Sequence, residues 1–141
     1  MTEPFDAARR ERVLSESPVF EHVPAEARRI VAELMHVERF DRGEVVCEPG
    51  DPAHGVLVLA SGALEVSVGG RPVRTLRPGD VLGEYGMFGD GVRTARVVAL
   101  EESVAFSLDY GPFVEVLRAH PDAMLALWRI TVDRLLERER G

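Results

Sequence analysis

The spacing of apolar residues changes twice along this 141-residue chain. At the start it is helical. Residues 6–15 form one predicted helix, Ser17-Pro18 breaks it, and Pro24 opens a second helix that runs to about Met35. Ile30, Val31, Leu34 and Met35 are expected to share the inward face of that second helix. From residue 36 the period drops from 3.6 to 2. Short β-rich segments follow, predicting strands over 37–41, 44–48, 55–60, 63–68, 72–77, 80–82, 93–99 and 103–109. Turn chemistry separates them at Asp41-Arg42-Gly43, Pro49-Gly50-Asp51, Ser61-Gly62, Gly69-Gly70 and Arg77-Pro78-Gly79-Asp80. After Asp109 the period lengthens again, with a short helix over Pro112–Ala119 and a longer one from Pro121 to about Glu139.

This order predicts a mainly β fold with flanking helices. Eight short strands suit a β jelly-roll barrel over residues 36–110, with helices over 6–35 and 112–139, all in a single domain spanning 1–141. On the last helix Met124, Leu125, Leu127, Trp128, Val132, Leu135 and Leu136 fill about half the circumference, with Thr131 the one polar member. Two readings of that arc stay open. The helix fits a corner between two barrel surfaces, or one half of its arc covers the barrel while residues 122–139 form a homodimer.

Composition narrows the function classes. Hydrophobic residues at 45% supply a packed core, and no apolar run reaches the ~20 residues that span a bilayer. The N-terminus MTEPFDAARRERVL lacks a signal-peptide pattern, so a cytoplasmic location with no membrane partner is expected. A net charge of −7 opposes nucleic-acid phosphate. The arginines of 9–12 and 134–140 are interleaved with acids and read as solvated helix faces, so no DNA partner is expected. A lone cysteine, Cys47, excludes an intramolecular disulfide and reads as a small buried hydrophobe on a strand. His22, His36, His54 and His120 are dispersed, so neither a metal site nor a cofactor is expected, and no enzyme chemistry.

The chemistry concentrates in residues 82–100, LGEYGMFGDGVRTARVVAL, where Glu84 and Arg93 lie nine residues apart with Gly83, Gly86, Gly89 and Gly91 around them. A guanidinium presents a donor fork that fits phosphate. Glycines let backbone N–H groups approach an anion, and a carboxylate accepts from a sugar hydroxyl. The set suits a small phosphorylated sugar held against a short turn.

Several segments together carry a family resemblance. They are Leu14-Ser15-Glu16-Ser17-Pro18-Val19-Phe20, Phe40-Asp41-Arg42-Gly43-Glu44-Val45, Glu48-Pro49-Gly50-Asp51-Pro52-Ala53, Ser61-Gly62, and Leu76 through Glu84. With the 82–100 run they resemble the cyclic-nucleotide-binding domain of the cAMP receptor protein and of kinase regulatory subunits, over nearly the whole chain. The resemblance implies a ligand, cAMP or cGMP, and a phosphate-binding cassette. Glu84, beside Gly83, takes the ribose 2′-hydroxyl. Gly86 and Met87 begin a short helix whose N–H groups meet the phosphate. Arg93 pairs with that phosphate, Thr94 also reaches it, and Ala95 leaves room on the inner face. It further implies that the C-terminal helices act as hinge and lid, with Arg96 and Arg138 as candidates for a base contact.

Departures are Tyr85 where the family carries Leu or Ile, Arg96 where it carries Thr or Ser, and Val92 where Pro is common. A stand-alone sensor or regulatory module is therefore expected, with no helix-turn-helix, cyclase or kinase segment. It would act through an unidentified effector protein or through self-association, with cAMP as the favoured natural ligand. The alternative is a degenerate version of the fold that serves as an interaction scaffold without binding nucleotide.

Overall fold

The computed structural model describes residues 5–89 and 91–140, with the side chains of all of these except 88 and 138–140. Helix α1 (Ala7–Ser15) starts where the Asp6 carboxylate accepts the Arg9 N–H at 2.9 Å. A single 3-10 turn (Phe20–His22) follows the Pro18 break, and α2 spans Ala25–Leu34. Arg10 of α1 donates to the Ala32 and Met35 carbonyls at 3.2 and 3.0 Å, closing the C-terminal end of α2. This corrects the solvated reading of the first arginine run at Arg10. The α2 face also differs from expectation: Val31, Ala32 and Met35 are buried, while Ile30 and Leu34 point outward. Val31 and Met35 are four apart and stack on the core side, which turns the preceding residues Ile30 and Leu34 away.

Eight strands follow: β1 (His36–Phe40), β2 (Val45–Cys47), β3 (Gly55–Ser61), β4 (Leu64–Val68), β5 (Arg71–Leu76), β6 (Val81–Leu82), β7 (Arg96–Ala99) and β8 (Ser103–Asp109). They form two four-stranded antiparallel sheets, β1-β8-β3-β6 and β2-β7-β4-β5. The expected count of eight is met. Among the described residues, strand pairing leaves two sheets rather than one closed barrel. Strand β7 starts at Arg96 rather than residue 93, because Val92 bridges Pro52 and Arg93 exchanges backbone hydrogen bonds with Gly50 and Asp51.

Period-2 alternation puts β3 to work on both faces. Val56 and Val58 meet the helices together with Phe106 and Leu108, while Leu59 faces the second sheet with Leu64, Val66, Leu76 and Val97. A strand covered on both sides reads as a continuous apolar run, here Val56-Leu57-Val58-Leu59. Gly55 opens β3 where its Cα passes the backbone of β8; a Cβ there would stand 2.8 Å from the Asp109 Cα. That crossing carries β8 into α4.

A four-residue helix α3 (Tyr85–Phe88) sits between β6 and β7. Helix α4 (Tyr110–Ala119) begins two residues before the predicted Pro112, which it accommodates in its first turn, where a missing N–H costs no helical bond. His120 separates it from α5 (Pro121–Arg140). Ala123, Leu127, Thr131 and Arg134 are the buried face of α5, whereas Met124, Leu125, Trp128, Leu135 and Leu136 are exposed. The apolar arc is thus divided along its length. No helix among the described residues is long and apolar enough to cross a membrane.

Candidate functional site

The loop from β6 to β7 folds over a small cavity of about 40 Å3 between the second sheet and α5. Gly83, Glu84, Gly86, Arg93, Thr94 and Ala95 all border it. The structure therefore gathers six of the seven expected cassette residues around one space. Met87, the seventh, turns its side chain to the helical core, and its N–H donates to the Glu84 carbonyl at 3.2 Å.

Local chain geometry explains the gathering. Gly83 has φ +102°, and a Cβ there would meet the Arg93 guanidinium and lie 2.9 Å from the Gly55 carbonyl oxygen. Only glycine fits, in conformation and in space. The return strand is clamped to the turn before β3: the Arg93 N–H donates to the Asp51 carbonyl at 2.7 Å, and the Ala53 N–H to the Gly91 carbonyl at 2.8 Å. Ala95 is buried in the sandwich, where Val66, Leu76 and Val97 give the cavity an apolar wall.

Glu84 is 1% exposed and takes a hydrogen bond of 2.6 Å from Arg134 Nη1 of α5. Its other oxygen, Oε2, has no hydrogen-bond partner, nor does Arg134 Nε. Glu84 pairs with Arg134 rather than with Arg93, its neighbour along the loop. Arg93 Nη1 is buried with no hydrogen-bond partner. A second ion pair spans from β5 to α5, Arg74 Nη2 to Glu137 Oε2 at 2.9 Å. Burial, then the nearby Arg134 charge, lowers the Arg74 pKa, against the support of Glu137. Cys47 is buried as expected and borders the same space; burial raises its thiol pKa, opposed by the Arg93 charge. Three arginines (74, 93, 134) and two glutamates (84, 137) line the cavity, a local excess of one positive charge on a chain of net charge −7. That excess suits a singly charged anion.

Arg134 corrects the solvated reading of the second arginine run, and sequence reasoning missed it. It follows Ala123, Leu127 and Thr131 on the buried stripe of α5, and a charge on such a stripe calls for a buried counter-charge. That signal was present in the spacing. Arg74 had no such signal, because its partner lies 63 residues away. Of the two candidates for a base contact, Arg96 is exposed, pairs with Glu48 at 3.1 Å and does not border the cavity. Alternation along β7 accounts for it: Ala95 and Val97 point in, so Arg96 points out. The side chain of Arg138 lies outside the described residues.

Comparisons with known proteins bear on the family and the fold. A family model for the cyclic nucleotide-binding domain matches residues 37–120. The chain is 31% identical over 101 residues to a cGMP-dependent protein kinase of Toxoplasma gondii, covering 72% of this chain and 10% of that protein. It is 27% identical over 107 residues to a cAMP-dependent protein kinase regulatory subunit of Hypocrea atroviridis, covering 76% and 23%. The chain thus spans less than a quarter of either relative. Among solved structures, cAMP-bound PfPKA-R superposes with TM-score 0.85 at 20% identity, over 95% of this chain and 48% of that one. The sensor domain of the transcriptional regulator DNR from Pseudomonas aeruginosa gives 0.78 at 20%, over 96% and 94%. The chain belongs to the cyclic nucleotide-binding domain family.

Proposed function

We propose that this chain binds a cyclic nucleotide and acts as a sensor with no catalysis of its own. The single observation that carries the reading is Arg93 Nη1, a buried donor without a partner beside Gly83 in a cavity whose other charges are paired. A buried unsatisfied donor costs about 1–3 kcal/mol, which a cyclic phosphate would recover. Glu84 Oε2 is the matching empty acceptor, positioned for a ribose hydroxyl. Thr94 and the Gly86 backbone complete the phosphate end, and the Arg74–Glu137 pair offers a donor and an acceptor at the cavity wall for a base edge.

Helices α4 and α5 serve as hinge and lid in this reading, since α5 already touches the cassette through Arg134. Both cAMP and cGMP bind, with cAMP the natural ligand. One hydroxyl contact from Thr94 contributes about 0.5–1.5 kcal/mol, which limits the choice it can make to about tenfold. Output passes to an effector protein or to a second copy. The exposed residues Leu125, Trp128 and Leu135, with Val132 between them, repeat at intervals of three, four and three, the spacing of a two-helix seam.

Titration calorimetry with each nucleotide tests the binding. Saturable heat with one site per chain is expected. Arg93→Ala should weaken binding by about 2–5 kcal/mol, the cost of removing one partner of a buried charge pair. Equal affinities for wild type and variant would refute the role of Arg93. Absence of heat from both nucleotides would leave the fold as an interaction scaffold.

A further inference from the structure

Tyr110 is the first residue of α4, and it touches the cassette from behind. Its N–H donates to the His54 carbonyl at 3.0 Å. Its hydroxyl donates to the Gly83 carbonyl. The same phenol fills the space that glycine leaves at position 86, where a Cβ would meet the Tyr110 oxygen and stand 3.3 Å from its Cζ. Arg93 packs against Gly83, and its charge acts on the phenol. Gly83, Gly86 and Arg93 therefore converge on one hydroxyl from outside the loop. Tyr110 does not border the cavity.

The place of this contact in the fold gives it a consequence. Helices α4 and α5 form one arm with only His120 between them. That arm grips two consecutive cassette residues, Gly83 through Tyr110 and Glu84 through Arg134. A carbonyl already accepting a hydrogen bond from Tyr110 is held back from turning its negative end toward an incoming phosphate. The phenol, beside both the carbonyl and the guanidinium, also limits where Arg93 can lie.

 We propose that the Tyr110 hydroxyl is the positioning group for this cassette, holding the Gly83 turn so that Arg93 is fixed for the phosphate, and tying the first turn of α4 to its arrival. The inference rests on the cyclic-nucleotide reading above and assigns a residue outside the cavity to the same site.

Tyr110→Phe tests it, because the ring is kept and only the hydroxyl is lost. Affinity for cAMP is read by competition against a fluorescent cyclic-nucleotide analogue, for wild type, Tyr110→Phe, Arg93→Ala and the double variant. Tyr110→Phe should weaken binding about tenfold in the wild-type background, as expected for loss of one well-placed hydrogen bond. In the Arg93→Ala background, measured at higher protein concentration, the same change should alter affinity less than about twofold, since the group it positions is gone. A merely structural tyrosine would weaken binding equally in both backgrounds, and that result, or an unchanged affinity in the first, overturns the proposal while leaving the nucleotide reading intact. A wild type that binds neither cAMP nor cGMP overturns the nucleotide reading and this inference with it.

Discussion

Arg134→Met places the sharpest demand on the structure. The substitution keeps a long apolar side chain on α5 and removes the guanidinium from Glu84. In the wild type the two side chains are 8% and 1% exposed and meet at 2.6 Å. Removing one partner of such a pair leaves an uncompensated buried charge, a loss of about 3–5 kcal/mol. The lower end applies here, because Glu84 Oε2 and Arg134 Nε have no hydrogen-bond partners and the pair is incompletely satisfied. Urea unfolding at pH 7, followed by circular dichroism, reads the effect. With a slope of about 2 kcal/mol per molar urea, a loss of about 3 kcal/mol lowers the midpoint by about 1.5 M. The companion double variant, Glu84→Leu with Arg134→Met, removes both charges and should recover most of that loss, since an apolar pair of similar size carries no desolvation penalty. A midpoint within about 0.3 M of wild type for Arg134→Met would refute the reasoning, as would a double variant whose loss is the sum of its two single changes.

Three further outcomes are expected. Gly86→Ala should lower stability by about 1–3 kcal/mol in the same urea assay, because the new Cβ meets the Tyr110 hydroxyl and stands 2.8 Å from the Ala53 Cβ. Burial raises the Tyr110 phenol above its ordinary pKa of 10.0, so its contribution to stability is full below that value and is lost as pH rises through the raised one. The alkaline fall in stability should therefore be shallower in Tyr110→Phe than in wild type, measured by thermal unfolding between about pH 9 and 11. Light scattering at high micromolar concentration should give a dimer mass for the wild type and a monomer mass for Trp128→Glu, because Trp128 is 59% exposed at the middle of the α5 stripe.

The element order can be read from short stretches of the chain, for local reasons. The change of apolar period at residue 36 and the Gly- and Pro-rich breaks between strands are short-range signals, and the eight strands fall where those signals put them. Glu84 and Arg93 were legible too, since they share one loop with the glycines that let it turn. Tertiary structure decided which groups meet across that loop. Arg134 reaches Glu84 from 50 residues away, and Arg74 reaches Glu137 across 63. Periodicity assigns a residue to a face but not to a partner, so the arginines of α5 read as solvated until the helix was laid over the cavity. The same limit applies to α2, where Ile30 and Leu34 match an apolar pattern yet face outward. Whether a face is buried depends on what the rest of the chain brings to it, and that is settled by packing between distant segments rather than by the residues of the helix alone.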